Sequence, residues 1–385
     1  MGLINVIGAG PAGLHCAALL AEQGFDASVF EEHSTIGRPV QCAGLVSKTG
    51  IEQLGIKLQN SIVNEIKGAR IFSPWGESIT IACNETVAFV VDRFEFDQLF
   101  LRKAKNFGCE VKTDSKLIDL RPSGKGSSEN SLFMQSSGHG ELLRSKITVG
   151  ADGPNSIVRH SIFPGLFEKD FVQAFQIRAE GNFEKAFVEM HFGKFAPGFF
   201  AWIVPESKSI ARVGIAAKPG LNAADCLNEF IQQKSLELKP LSKNSALIPI
   251  ARPAKQLAAG NVLLVGDAAS QTKATTGGGL VFGLKAAGAC AETISNHLKH
   301  HKPLSDYGKN LQAIDKELSL HWRIHSYLHS MKPEQLDVLF RKAKAAGIEQ
   351  FLSQHGDMDN PSRFMRKMLF KPKMWGLLPA ALKIV

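Results

Sequence analysis

Leu3-Ile4-Asn5-Val6-Ile7-Gly8-Ala9-Gly10-Pro11-Ala12-Gly13 reads as a short β-branched strand, a glycine-rich turn and the first residues of a helix that continues from Leu14 to Gln23 and stops at Gly24. Each glycine has its own task. Gly8 makes the tight turn, Gly10 lets a pyrophosphate approach the backbone, and Gly13 lets helix and strand pack closely. Free N–H groups at the helix start then hold the anion. A second strand, Ala27-Ser28-Val29-Phe30, delivers Glu31, 23 residues after Gly8, where a carboxylate can accept hydrogen bonds from a ribose diol. Two strands, a helix and an acid in register predict an α/β dinucleotide-binding unit. The motif by itself leaves NAD and FAD both open.

Outward from that unit, the pattern departs from a plain alternation of strands and helices. Residues 34–91 form a long insertion. The next helix starts at Asp92, a good N-cap, and carries Phe94, Phe96, Leu99, Phe100 and Ala104 as far as Gly108. A strand at Cys109 to Thr113 and a β-meander at 115–149 follow, returning in Ile147-Thr148-Val149-Gly150. The 385 residues are 44% apolar and 21% charged, a globular composition with no collagen-like or heptad periodicity. Six cysteines lie far apart and never as CxxC, so neither a disulfide framework nor a zinc or iron–sulfur site is implied. No apolar run reaches the length of a membrane span, and no secretory signal pattern is present, so a cytoplasmic location is expected.

Two later blocks have the same character. Val149-Gly150-Ala151-Asp152-Gly153-Pro154-Asn155-Ser156-Ile157-Val158-Arg159 is a strand end, an acid, a glycine, then Ser and Arg at helical spacing. Asn261-Val262-Leu263-Leu264-Val265 is a buried-strand pattern that delivers Gly266-Asp267-Ala268-Ala269, an acid where open α/β sheets bind ligands. Thr275-Thr276-Gly277-Gly278-Gly279 then opens a small-residue helix from Leu280 to His297, whose positive end suits a flavin pyrimidine that becomes anionic on reduction.

Taken in order, these three blocks resemble the FAD oxidoreductases related to para-hydroxybenzoate hydroxylase, and within them the geranylgeranyl reductase family, over roughly residues 1 to 325. The resemblance implies an α/β fold: an FAD-binding Rossmann-like domain of the GR2 type, an inserted antiparallel-sheet substrate domain and a helical C-terminal region. It implies FAD as cofactor, bound by Gly8, Gly10, Ala12, Gly13, Glu31, Arg38, Cys42, Arg93, Asp152, Gly153, Asp267, Gly277, Gly278 and Gly279. In it Glu31 holds the adenosine ribose, Asp152 with Gly153 closes over the pyrophosphate, Asp267 binds the ribityl chain or pyrophosphate, and Arg93 reaches the FAD from its helix. Arg38-Pro39-Val40-Gln41-Cys42-Ala43-Gly44 is similar to the reductases' segment that sets a cysteine beside the flavin. Phe200-Ala201-Trp202-Ile203-Val204-Pro205 is similar to their aromatic-x-Trp-x-Phe-Pro signature in the substrate cavity, with Val204 in place of Phe. Ser270 and Ala274 are further departures, where Gly and Pro are usual.

The expected layout is an FAD-binding domain at 1–165 and 255–300, a sheet domain at 166–254, and a helical region at 301–385 with a basic amphipathic tail. Strands are expected at Ala174 to Arg178, Phe187 to Phe192, Phe199 to Val204 and Arg212 to Ala217, with a helix at Ala223 to Lys234. The implied activity is saturation of C=C bonds in geranylgeranyl-type chains of a prenyl lipid or prenyl diphosphate, with Cys42 and Trp202 as catalytic candidates; the proton that the second carbon needs is expected from Cys42, with water or flavin-associated solvent as the rival donor. A flavin monooxygenase of an aromatic or polyketide-like substrate is the alternative, and a quinone-linked electron-transfer flavoprotein ranks below it. No second GxGxxG unit exists, so the electron donor, NAD(P)H or a ferredoxin-like protein, is expected to visit transiently.

Glu317, His321, His325 and His329 recur every four residues, and they are read as a polar stripe beside Leu318, Trp322 and Leu328 rather than a metal site. Net charge is +9, and six of the nine charges lie beyond Asp359, at Arg363, Arg366, Lys367, Lys371, Lys373 and Lys383, leaving three over the first 359 residues. A nucleic-acid partner would call for a stripe along a face, and none is expected. Asn360 and Pro361 start a helix with Phe364, Met365, Met368 and Leu369 on one side and the cations on the other, followed by Trp375, Leu377, Leu378 and Leu382. Two readings of 360–385 stand: peripheral contact with the inner face of an anionic membrane, or a helix docked on the body with a solvated basic face.

Overall fold

The computed structural model describes residues 3–124, 128–136, 138–368 and 370–377. Strand Ile4–Ile7 is fully buried and sits mid-sheet, pairing in parallel with Ala27–Phe30 on one side and Ile147–Gly150 on the other. Burial on both faces is why these strands are written as continuous apolar runs. Glu110–Lys112 and Val262–Leu264 extend the parallel sheet, and Ala258–Ala259 adds an antiparallel edge. Helix Pro11–Glu22 packs against helices Leu280–His300 and Arg93–Asn106 over this sheet. The N-cap of Arg93–Asn106 is Asp92, whose side chain accepts the Glu95 N–H at 3.1 Å. The meander is the three-stranded sheet Ser115–Arg121, Asn130–Ser136 and His139–Ser145.

The second sheet has seven strands in the order 239–249, 171–180, 210–217, 201–205, 187–191, 68–72, 78–82. Two features depart from the expected layout. Strands Gly68–Phe72 and Ser78–Ala82, drawn from the insertion at 34–91, complete this sheet, so the substrate part is not confined to 166–254. Lys239–Pro249 is an eleven-residue strand paired along Phe171–Glu180, in addition to the strands expected here. Its exposed polar first half, at the sheet edge, hides the alternation by which strands are recognised. The remaining insertion strands, 45–47, 62–66 and 88–91, form a small sheet between the two domains' motifs.

One face of the seven-stranded sheet packs Ile177, Val213 and Ile215 against Leu227 and Phe230 of helix Ala223–Gln233. The other face joins Phe192, Phe199, Phe200 and Trp202 to Leu336, Phe340, Ile348 and Phe351 of the C-terminal helices. That apolar layer also takes in Met368 and Met374, so the helix Pro361–Met368 is docked on the body through part of its apolar side. Leu369, Leu378, Leu382 and Lys383 lie outside the described residues.

Candidate functional site

The glycine turn is built for close approach. A Cβ on Gly8 (φ 101°) would stand 2.2 Å from the Ala151 carbonyl oxygen, and one on Gly13 would stand 2.1 Å from the Gly8 carbonyl oxygen. Neither position tolerates a side chain. Gly10 differs: nothing lies within 4 Å of where its Cβ would be, and it lines two large adjoining cavities. The space kept open there adjoins a helix start that has no side-chain cap, an arrangement that accepts a phosphate. Glu31 is oriented from behind, since its Oε2 accepts the Ala9 N–H at 2.8 Å and its Oε1 lies 2.5 Å from His33 Nδ1.

Arg93 sits where the two cavities meet. Its guanidinium donates to both carboxylate oxygens of Asp97, at 2.9 and 3.1 Å, and lies against the Cys42 thiol. Burial would favour its neutral form, but Asp97 and then Cys42 hold its pKa above the ordinary value. Asp97 was not singled out by sequence, although an acid one turn after an arginine is a legible pair. Arg38 stacks over Phe94, 4.9 Å from the ring centre, and faces the second cavity.

Cys42 is held from three sides. Its sulfur accepts the Gly44 N–H at 3.3 Å, Arg93 covers it, and Arg212 donates to the carbonyls of Ala43 and Val91 at 2.7 and 3.0 Å. Arg212 is buried in the seven-stranded sheet and is itself fixed by Glu206 at 2.7 Å. Sequence reasoning missed it. Its signal was an arginine inside the otherwise apolar run Ile210-Ala211-Arg212-Val213-Gly214-Ile215.

Asp152 lines the second cavity, and its carboxylate accepts the Ser156 hydroxyl at 2.5 Å and the Val158 N–H at 3.1 Å, which fixes it at the start of helix Ile157–Ile162. Burial pushes its pKa up against those bonds. Its neighbours Ala151, Gly153 and Pro154 line both cavities. Arg159 joins this turn to the next motif by donating to the carbonyls of Pro154 and Ala268, at 2.7 and 3.1 Å.

Asp267 is the opposite case. It lines the main cavity, and among the described residues its carboxylate accepts no hydrogen bond; burial raises its pKa, with Arg93 opposing. A carboxylate left in that condition calls for donors from a ligand such as the hydroxyls of a ribityl chain. The loop beyond it folds around Lys273, whose N–H donates to the Gly278 carbonyl and whose own carbonyl accepts from Thr276 and Gly277. The Lys273 ammonium is 2.6 Å from Asp359, which also takes the Ser47 hydroxyl, and both charges are nearly inaccessible. Burial alone would raise the Asp359 pKa, and Lys273 and Ser47 reverse this and hold it below its ordinary value.

The polar stripe of histidines faces inward, with His321 and His325 buried and His329 half-buried. His321 Nδ1 lies 2.6 Å from Thr275 Oγ1 of the glycine loop, while the His325 and His329 rings sit tilted to each other, 4.4 Å apart, with His329 stacked on Phe199. Burial lowers all three, to about 3, 4 and 3, so they are neutral packing and loop-bracing groups. Among the described residues no cluster of metal-ligating side chains occurs.

Gly10, Ala12, Gly13, Cys42, Arg93, Gly153, Trp202, Asp267 and Gly277 to Gly279 line one cavity of about 1370 Å³. Gly8, Gly10, Glu31, Arg38, Arg93, Asp152 and Gly153 line an adjoining one of about 970 Å³. Each is at or beyond the upper end of the usual range for a small-molecule site, roughly 1,000 Å³. The first continues past the glycine loop along Ile66, Ile71, Val188, Phe200, Trp202 and Val204, which are apolar. Trp202 donates to Gln176 at 2.9 Å and lies flat on Gly214, where a Cβ would meet the indole at 2.4 Å. A dinucleotide extended across both cavities would leave its ring end facing that apolar wall.

A sequence profile of the FAD binding domain matches residues 3–313. The chain is 30% identical to digeranylgeranylglycerophospholipid reductase 2 of Methanosphaera stadtmanae over 96% of its own length and 95% of the relative's. It is 29% identical to digeranylgeranylglycerophospholipid reductase of Methanocella arvoryzae, over 90% of this chain and 92% of that one. Among solved structures, a geranylgeranyl bacteriochlorophyll reductase-like protein from Thermoplasma acidophilum superposes with a TM-score of 0.83 at 21% identity, covering 98% of each chain. Aklavinone-11 hydroxylase shares the fold with a TM-score of 0.65 at 17% identity, over 88% of this chain and 70% of that one.

Proposed function

Because the chain belongs to the FAD-binding domain family, and to the same family as the digeranylgeranylglycerophospholipid reductases, we propose that it is an FAD-dependent reductase of C=C bonds in geranylgeranyl-type isoprenoid chains. The observation that carries this reading is the main cavity itself, in which the cofactor motifs and Cys42 open directly onto a long apolar wall. An aliphatic chain can lie along Ile71, Val188, Phe200 and Val204 without stranding any polar group. Reduced FAD, when bound, supplies a hydride to one alkene carbon.

The neighbouring carbon needs a proton, and Cys42 is the residue we assign to deliver it. The S–H bond breaks as the new C–H bond forms, and the thiolate left behind faces the Arg93 guanidinium and the Gly44 N–H until solvent returns a proton. Arg212 and Glu206 keep the Cys42 loop in place, and Phe200 and Trp202 exclude water from the chain. Glu31, the Gly10 turn, Arg93 and Asp267 hold the cofactor. Electrons arrive from a transient donor, NAD(P)H or a ferredoxin-like protein.

Anaerobic incubation of dithionite-reduced protein with an isoprenoid lipid extract, followed by mass spectrometry, tests the reading. Products heavier by pairs of hydrogens are expected. Oxygen-dependent hydroxylated products with no hydrogenated ones would replace it with the monooxygenase reading.

No helix among the described residues is long and apolar enough to cross a membrane. Beyond the docked part of the tail, Phe370 is 83% and Trp375 54% exposed, next to Lys367, Lys371 and Lys373. Aromatic side chains flanked by lysines suit the interface of an anionic bilayer, and we assign them a peripheral membrane contact. Met368 and Met374 are core residues, so truncation at Asp359 would also disturb packing. Phe370→Ser with Trp375→Ser is the cleaner variant. Loss of flotation with anionic liposomes is expected, and unchanged flotation would contradict the contact.

A further inference from the structure

The main cavity changes character along its length. At its inner end it is lined by the glycine loops, Arg93 and Asp267, and then by buried apolar side chains. Its exposed lining residues are mostly polar and come from Pro39 and Gln41, from Thr49 and Glu52 of helix Lys48–Gln53, from Glu85 and Val87, and from the segment between Gln354 and Lys367, where the cations gather. These mark its mouth. The charged groups there are Lys48, Arg363, Arg366 and Lys367, with Glu52, Glu85 and Asp357 opposing.

The acids do not neutralise the cations evenly. Asp357 accepts the backbone N–H groups of Asp359 and Asn360 at 2.9 Å each and pairs with Arg363 at 3.4 Å. Arg366 donates to a single backbone carbonyl, that of Ser362, at 3.4 Å, and Lys367 meets the Nδ1 of His355 at 3.4 Å. Among the described residues neither Arg366 nor Lys367 has a carboxylate within ion-pair distance. The helix that carries them is held in place, since Asp359 just before it is locked to Lys273 and Met368 is in the core.

We propose that Arg366 and Lys367, with Lys48 at the same mouth, form a subsite for the phosphate ester at the polar end of the isoprenoid substrate. The proposal rests on the reductase reading and adds the orientation of the substrate. A phosphate cannot enter the apolar part of the cavity without losing its hydration to groups that cannot replace it. The hydrocarbon gains by entering. The chain therefore goes in tail first, and its phosphate stops where two unpaired cations can each donate charge-assisted hydrogen bonds to it. Anchoring that end limits which double bonds come opposite Cys42.

The phosphate could belong to a soluble prenyl phosphate or to a phospholipid headgroup, and the chemistry of the subsite is the same for both. The test measures binding of geranylgeranyl monophosphate, a geranylgeranyl phospholipid in neutral detergent micelles, and geranylgeraniol to the oxidised holoenzyme, followed by perturbation of the flavin absorbance. The wild-type protein should prefer a phosphorylated ligand over the alcohol by about tenfold or more, as charge-assisted hydrogen bonds allow. Arg366→Gln with Lys367→Gln should bring that ratio close to one at unchanged FAD content. The charge-matched control Lys342→Gln with Lys344→Gln, away from the cavity, should keep it.

A preference confined to the monophosphate or to the phospholipid identifies the source and supports the subsite in either case. No preference in the wild type, or one that survives the double variant, overturns it. Binding preference without turnover would sink the reductase reading while leaving the subsite standing, and turnover without preference would do the reverse.

Discussion

Cys42, Gly10 and Arg212 carry the account at the scale of single residues. If Cys42 donates the proton, Cys42→Ala should lower turnover on a prenyl chain by roughly 10²- to 10⁴-fold while FAD stays bound, the range typical of a lost general acid. Unchanged turnover would assign the proton to water. Gly10→Val would project a side chain into the space kept for phosphate, and protein purified from this variant should be colourless with the fold intact by circular dichroism. Arg212→Lys retains the charge but loses the fork that binds two carbonyls and Glu206 at once. Its expected signature is a fall in kcat with KM and FAD content nearly unchanged, and a parallel loss of FAD would mean that Arg212 acts on the fold alone. The close packing at Gly8 and Gly13 and the place of Glu31 after its strand were legible because strand, turn and acid stand at set spacings. The contacts by which Asp152 starts helix Ile157–Ile162 were not, because its bonds to Ser156 and Val158 depend on a turn that spacing alone does not specify.

Among the elements, the helix Gln312–Ser330 shows what one-dimensional reading loses. Its histidine period was visible, but whether that face met solvent depended on the Phe199 layer and the glycine loop brought up from distant sequence. The burial has a consequence for stability. His321, His325 and His329 are held near 3, 4 and 3 in the folded protein against about 6.5 when unfolded, so the unfolded chain takes up protons first. Their contribution is fully present above about pH 6.5 and is lost as pH falls toward 4, on the order of several kcal/mol in total. Thermal denaturation of His325→Leu with His329→Leu should show a shallower fall in Tm between those limits than the wild type. An equal slope would mean that these rings already reach solvent. Helix Arg93–Asn106 was legible at its start because Asp92 is a cap the sequence states outright, and helix Ala223–Gln233 was legible almost to the residue; its cap, Asn222, appears in the structure. The strand Lys239–Pro249 was hidden by its polar edge, and strands 68–72 and 78–82 by their distance from the sheet they join.

On the scale of the whole molecule, the ion pair between Lys273 and Asp359 links the loop expected at the flavin to the helix at the cavity mouth across 86 residues of chain. Asp359→Asn leaves a buried ammonium without its partner and should cost about 3–5 kcal/mol. A loss that small in denaturant titration, accompanied by weaker FAD retention, is expected; full stability would show the pair to be dispensable. The net charge, which in the sequence is only an excess near one end, becomes a located feature once the tail folds back. Arg363, Arg366 and Lys367 rim the main cavity, and Lys371 and Lys373 lie beside the exposed Phe370 and Trp375. The central claim is that the cavity brings an isoprenoid double bond to the flavin. The most direct measurement is a single turnover without oxygen, in which stoichiometrically reduced holoenzyme is mixed with a geranylgeranyl phospholipid and the return of the oxidised flavin absorbance is followed. The account predicts reoxidation matched one for one by double bonds saturated, as counted by mass. Flavin that stays reduced until oxygen is admitted would contradict it.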